Sequence, residues 1–416
     1  MALPVAAAVT GAALVMVANL ALVSATSQFF RNSVGVIATT LTTEFTLTAA
    51  ELGFLSSVFF LVFSVCQVPV GVVIDRYGPR AAILGSALFV VAGSLLFSVA
   101  TDYPTLIAAR LMMGIGCSTF LMAPLVLYAH AFEPRIYASL TGVHVALSSL
   151  GSLAATAPLA YATALSGWRW AFVWAAIITA ISALLVIPTT KDVSGTKGSA
   201  GTETLRETIS GLGAAIRTPG FLGLFAMQFS TYSTFAMMLG LWGGPYLAHV
   251  HGGDLATQGH ALLALAGAQV VGVMVWGSAD RWVGAYRPVV LTAATLSVGC
   301  LLALIFIGHR VDTTMTLVLM AALGFACAYT AVLMAHGKSL FAPALTGRGM
   351  TLLNIGTMGG SFTMQALTGL AVKAVAGPAT VYPVAAFQAA FALQILVIIG
   401  TALLYMRAPD PRRAMG

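Results

Sequence analysis

Gly71-Val-Val-Ile-Asp75-Arg76-Tyr77-Gly78-Pro79-Arg80 closes one apolar run, residues 52–74, and opens onto another, residues 81–100. Crossing a bilayer takes about 20 apolar residues. Each run is long enough, and the polar residues between them then belong at the water-facing turn of a helix hairpin. Gly78 permits a tight reversal, and Pro79 suits the first turn of the following helix. At such a turn the Asp75 carboxylate can face the amino end of a neighbouring helix, where about half a positive charge is exposed.

The rest of the chain repeats this alternation. Hydrophobic residues make up 59% of the 416 and charged residues 7%, with a mean hydropathy of +0.96. Soluble domains carry roughly a quarter charged residues, so the composition is that of a polytopic membrane protein. Further runs cover 9–41, 106–128, 138–164, a sixth ending near 187, 221–248, 255–279, 288–308, 314–341, 349–372 and 384–406. Between the sixth and seventh lies the one long polar segment, 189–217, rich in Gly, Ser and Thr. It reads as a tether, with 205–216 able to form a short amphipathic helix.

The net charge of +7 carries no basic patch interleaved with aromatics, which excludes nucleic acid as the expected partner. Threading the runs from a cytoplasmic start leaves only Arg169, Arg310 and Lys373 on the outer side. Arg31 and Arg110 lie inside spans, and every other Lys and Arg is inner. That positive-inside bias places both termini in the cytoplasm. Cys66, Cys117, Cys300 and Cys327 are scattered through apolar runs without CxxC spacing, so neither a disulfide framework nor a metal site is expected. The first 30 residues hold no Lys or Arg, so they read as a span and not as a signal peptide. No metal, nucleophile-elbow or phosphate-loop motif is present, so neither an enzyme nor a cofactor is expected.

The pattern G-x-x-x-D-R-x-G-x-R at 71–80 resembles the signature of the major facilitator superfamily, a family of secondary transporters. The resemblance implies an all-α membrane protein with twelve transmembrane helices in two pseudo-symmetric six-helix bundles. These would be 1–188 and 218–416, joined by a cytoplasmic linker at 189–217. It also implies that Gly71, Asp75, Arg76, Gly78 and Arg80 form a latch that breaks and re-forms as the bundles rock. The other reading is a positive-inside turn that only fixes orientation. Arg110-Leu-Met-Met-Gly114-Ile-Gly116 is similar to a second, shorter signature of the family. It implies that Arg110 ties the fourth span to its neighbours; alternatively it is an arginine bonded to backbone near the outer boundary. The second half carries a degenerate copy of the turn, Asp280-Arg281, with Trp276 in place of the leading glycine and Arg287 too late. Phe132-x-Pro134 and Phe341-x-Pro343 echo each other likewise, as internal repeats of such transporters do. The adjacent Gly-Pro that the family's drug antiporters carry in the fifth span is missing between Gly151 and Pro158.

A charge inside the bilayer costs roughly 2.5–3.5 kcal/mol on insertion scales, so those that occur are usually functional. All twelve acidic residues fall at span ends, in loops or in the tail, which leaves Arg31, Arg110 and His144 as the ionisable groups within spans. Ser24, Gln28 and Arg31 share one helix face. A guanidinium there would hold a carboxylate through two parallel hydrogen bonds, unless the first helix ends at Phe30 and Arg31 is an interfacial residue. No Lys or Arg occurs from 218 to 280, which favours a monoanion over a phosphate ester. His144 suits proton coupling, since its unperturbed pKa lies near neutrality; it suits hydrogen-bonded packing equally. Gln228, Thr231, Tyr232 and Phe235 share a face of the seventh span, and Tyr329, Asn354 and Gln365 are further candidates to line a cavity.

The expected function is transport of a small organic anion such as a carboxylate, with protons as a possible co-substrate. The chain is expected to act as a monomer in the cytoplasmic (inner) membrane. The alternatives are a proton-coupled exporter of hydrophobic or cationic compounds, for which a buried carboxylate is missing, and a non-transporting membrane sensor.

Overall fold

The computed structural model describes residues 11–190 and 205–411; the expected start of the first span at Val9 and the middle of the expected tether, 191–204, lie outside them. The first half is built from α1 (Gly11–Asn32), α2 (Val34–Phe45), α3 (Ala49–Tyr77), α4 (Pro79–Ser98), α5 (Tyr103–Cys117), α6 (Met122–Ala131), α7 (Pro134–Ala154), α8 (Ala157–Ser166) and α9 (Trp168–Thr189). The second half follows with α10 (Leu205–Ile216), α11 (Phe221–Met237), a π-helical turn Met238–Trp242, α12 (Gly243–His251), α13 (Leu255–Val283), α14 (Tyr286–Phe306), α15 (Thr313–Ala326), α16 (Thr330–Leu340), α17 (Thr346–Ala376) and α18 (Val384–Tyr405).

The hairpin is as tight as its residues dictate. Gly78 alone separates α3 from α4, at φ +81°, and Pro79 opens α4. Helix starts elsewhere are set by acids. Thr48 and Glu51 form a reciprocal capping box on α3. Asp102, Asp254 and Asp312 each accept a backbone N–H in the first turn of α5, α13 and α15 at 2.8–2.9 Å. Hydrogen bonds from Thr105, side chain and then backbone, hold Asp102 below the ordinary carboxylate range. These carboxylates are committed to helix ends.

Ten helical stretches are long and apolar enough to cross a membrane. Side chains such as Leu88, Trp174 and Leu396 face outward from them, so the protein is an integral membrane protein. The stretches 221–251 and 346–376 fall short of that apolarity because Gly, Ser, Thr and Gln dilute them. Both carry buried polar side chains, among them Gln228, Thr231, Thr357 and Gln365.

The structure corrects the expectation of continuous spans. The first does not run unbroken to Leu41 but breaks at Ser33 and resumes to Phe45. The fourth breaks at 118–121, the seventh at its π turn, the tenth at 327–329 and the fifth at 155–156. Four of these breaks fall on every third span, the spacing expected of a repeated three-helix unit. Carbonyls freed inside a bilayer must find donors in the protein, and here neighbouring helices supply them. Ser24 Oγ donates to the Phe120 carbonyl, and Thr231 Oγ1 to that of Cys327 at 3.3 Å. Ser56 Oγ donates to the Gly240 carbonyl at 2.8 Å, and Trp276 Nε1 to that of Phe325 at 2.9 Å.

The halves meet along α3 and α17, where Gly53 and Gly369 allow backbone contact. They meet again where α2 packs on the π turn and α12. A Cβ on Gly35 would overlap the Leu239 carbonyl, and one on Gly244 would overlap that of Gly35. This seam lies at the end of the bundle that carries Glu44. Toward the Asp75 end, α6 packs on α4 and α7, whereas α16 packs on α11, α13, α14 and α17, each within its own half. The molecule is zipped at the Glu44 end and parted at the other.

Candidate functional site

Arg31 occupies the last turn of α1, just before the break, and is 6% exposed. Its guanidinium carbon lies 4.8 Å from the centre of the Phe63 ring and 5.9 Å from that of Tyr232. Nη1 donates to the Tyr232 hydroxyl at 3.4 Å, and Nε has no partner among the described residues. Ring faces attract the charge by about 0.5–2 kcal/mol each, which does not replace a counter-ion. Arg169 pairs with Glu44 at 2.5 Å at the end of the bundle, and among the described residues no ion pair includes Arg31. Arg31 is thus a buried cation facing α3 and α11 with no carboxylate against it.

Amide side chains surround it. Asn32 Nδ2 donates to the Gln28 carbonyl at 3.0 Å and to Ser152 Oγ at 3.1 Å, and Gln365 Nε2 donates to the Ala236 carbonyl at 2.8 Å. Because the nitrogens face carbonyls, the free ends are oxygens. Asn32 Oδ1, Gln365 Oε1, Gln28 Oε1 and both amide atoms of Gln228 are buried without a partner. Two of these amides meet at Gly240: a Cβ there would sit 3.2 Å from Gln365 Nε2, 3.7 Å from the Arg31 carbonyl and 3.9 Å from Asn32 Oδ1.

The remaining sequence candidates are dispersed. Tyr329 is buried at the break of the tenth span, hydrogen-bonded to Thr231. Asn354 is half-buried on α17. His144 is sealed between α1, α6 and α7, away from Arg31, with Nε2 2.9 Å from Ser24 Oγ and Nδ1 2.9 Å from the Tyr128 hydroxyl. Arg110 is wholly buried and bonded to three backbone carbonyls. Asp75 and Arg76 are exposed, with Arg76 lying over the Tyr77 ring at 5.4 Å, and Gly71, Gly78 and Arg80 are half-buried. Their second-half counterparts differ, since Asp280 is buried and Arg281 exposed. Replacing His144 with Leu removes one hydrogen bond from each of two buried hydroxyls, which keep the carbonyls of Phe120 and Val17, at about 0.5–1.5 kcal/mol for each bond lost. The expected outcome is a melting temperature several degrees lower, read by thermal denaturation of the purified protein.

Sequence reasoning did not single out Asn32 or Phe63. The signal for Asn32 was its place one turn after Gln28. Phe63 lies in an unbroken apolar run and had none. A separate cleft of about 490 Å³ lies between α3, α4 and α5, lined by residues such as Cys66, Pro69, Tyr77 and Phe89. Its walls carry no charged side chain, so it does not suit an anion.

The family model described as Major Facilitator Superfamily matches residues 20–245. The mouse (Mus musculus) protein described as solute carrier family 2, facilitated glucose transporter member 10, is 32% identical over 182 residues, 41% of this chain and 32% of that protein. The 3-(3-hydroxy-phenyl)propionate transporter of Escherichia coli (strain K12) is 27% identical over 154 residues, 37% of each. The chain spans about a third of the length of the curated relatives it matches. A bacterial homolog of the human lysosomal transporter Spinster, solved in an inward-facing and occupied conformation, superposes with a TM-score of 0.76 at 15% identity. The match covers 94% of this chain and 95% of that one and shows a shared fold.

Proposed function

This chain belongs to the Major Facilitator Superfamily, and from that premise we propose that it carries a small organic monoanion across the membrane by alternating access. Twelve spans, 1–188 and 218–416, form the two bundles, and the cargo binds between them at Arg31. One observation carries the reading: a buried guanidinium with a free Nε and no acid against it. Burying an unpaired charge costs several kcal/mol, and an anionic cargo offsets that cost each time it binds. The relatives include a transporter whose printed substrate is a carboxylate, 3-(3-hydroxy-phenyl)propionate. The test is uptake of radiolabelled monocarboxylates by proteoliposomes; flux no greater than in protein-free liposomes for every acid overturns the reading.

The Asp75-Arg76-Arg80 turn supplies the latch of the opposite state. It is exposed here, where the halves are parted, and forms its ion pairs when the Asp75 end closes. His144 holds α1, α6 and α7 together and does not touch cargo. The seam at the Glu44 end must open in each cycle, and glycines are what let it close. Overpacking such a contact costs about 1–3 kcal/mol, a factor of 5 to 150 in population. Gly35→Val should therefore shift the resting protein toward the state open at the Glu44 end. Labelling of a cysteine introduced at Thr39 on α2 reads the shift as a faster rate, and an unchanged rate counts against the seam as a gate.

A further inference from the structure

Beyond the charge it carries, the cargo must complement the groups around Arg31, and these are lopsided. Three amide oxygens, on Gln28, Asn32 and Gln365, are buried with no donor, and Gln228 presents a whole unpartnered amide. The orientations of Asn32 and Gln365 are fixed, because their nitrogens already donate to the carbonyls of Gln28 and Ala236. Native interiors rarely leave buried polar atoms unpaired. Here Gln28 and Asn32 lie within a turn of Arg31 on α1, Gln228 lies one turn before Tyr232 on α11, and Gln365 is on α17, which packs on α11. Two of these amides, on Asn32 and Gln365, flank Gly240.

A simple carboxylate would satisfy the guanidinium and leave these oxygens unpaired. We infer that the cargo is a hydroxylated monocarboxylate, of the sugar-acid or hydroxy-acid class: its carboxylate meets Arg31 and the Tyr232 hydroxyl while its own hydroxyls donate to Gln28, Asn32, Gln365 and Gln228. Ammonium donors fit less well. The guanidinium repels them, and the acids of the first half sit at helix ends, where Glu44 pairs with Arg169 and Glu51 caps α3. This inference rests on the anion reading above and sharpens it.

Gln228 gives the cleanest variant. Neither of its amide atoms has a partner, so replacing it with leucine removes a buried polar group without orphaning another. Gln228→Leu should melt at or above the wild-type temperature without ligand, whereas an amide kept for packing would melt lower. Binding is measured on the purified full chain with two matched sets of probes: propionate, glycerate and glycerol; hexanoate, gluconate and glucitol. In at least one set the hydroxy acid is expected to bind about tenfold tighter than both the plain acid and the polyol. In Gln228→Leu that preference should fall at least fivefold, with the plain acid unchanged. A plain acid that binds as well as its hydroxy acid in both sets overturns the hydroxyl assignment and leaves the anion reading standing. So does a Gln228→Leu protein with the full preference intact. Polyol binding as tight as that of the hydroxy acid and indifferent to Arg31→Gln overturns both, as does a failure of every acid to bind.

Discussion

Arg31→Ala is expected to cut the proposed carboxylate uptake by about thirtyfold or more, in a protein that melts no lower than its parent. The two halves of that result come from the same geometry. Truncating one partner of a buried, hydrogen-bonded charge pair costs about 2–5 kcal/mol, and each 1.4 kcal/mol is tenfold. The loss falls on the cargo complex, because only there is the guanidinium paired. Without cargo, Arg31 gives up a single 3.4 Å hydrogen bond to Tyr232 and two ring contacts. Alanine in exchange removes an unpaired buried charge, a cost of roughly 2.5–3.5 kcal/mol on insertion scales. Arg31→Lys should fall between, since an ammonium keeps the charge and loses the planar fork. Proteoliposome counterflow gives the first quantity and thermal denaturation the second. Unchanged flux, or a large drop in melting temperature, removes Arg31 from the cargo site.

The hairpin at 71–80 was legible because its constraints are local. Two runs of span length, a glycine for the reversal and a proline for the next first turn admit little else, and Gly78 at φ +81° is that reversal. The helix at 205–216 was legible for the same reason. The helix breaks were not, because a break depends on donors from distant helices. Nothing near Cys327 in the chain announces that Thr231 will take its carbonyl. Trp276 illustrates the point from the other side. As the leading residue of a degenerate repeat it looked like decay, yet its indole serves the carbonyl freed at the tenth span's break. Arg31 was legible as a buried charge, but the amide ring around it comes from three spans and needed the fold. His144 was equally visible, and the same hydropathy could not say whether it faced cargo or the hydroxyls of Ser24 and Tyr128.

Arg110→Met is expected to do the reverse of Arg31→Ala: it should cost most of the folded protein. Two arginines lie in this bundle without a carboxylate, and what separates them is how many of their donors are engaged. Arg110 Nη1 donates to the Phe30 carbonyl at 2.5 Å, Nη2 to that of Ser56 at 3.1 Å and Nε to that of Leu55 at 3.3 Å. Its carbon lies 4.8 Å from the Phe59 ring centre. Phe30 stands one turn before the break in the first span and Arg31 follows it, so Arg110 is the peg that holds the cargo arginine's turn against α3 and α5. Methionine fills similar volume but donates nothing. Phe30 keeps Ser33 Oγ on its carbonyl, and Leu55 and Ser56 lie within α3. The cost is therefore the three lost bonds to a charged donor, at about 1.5–3 kcal/mol each, which still approaches a whole domain's stability of about 5–15 kcal/mol. The yield of monodisperse protein on size exclusion should fall at least tenfold, and any survivor should melt more than 10 °C lower by the usual scaling of about 2–8 °C per kcal/mol. Arg110→Met protein that melts like wild type and fails only in transport would move Arg110 from the scaffold into the moving parts. On this proposal the guanidinium engaged by three backbone carbonyls is scaffold, and the one whose Nε has no partner among the described residues meets the cargo.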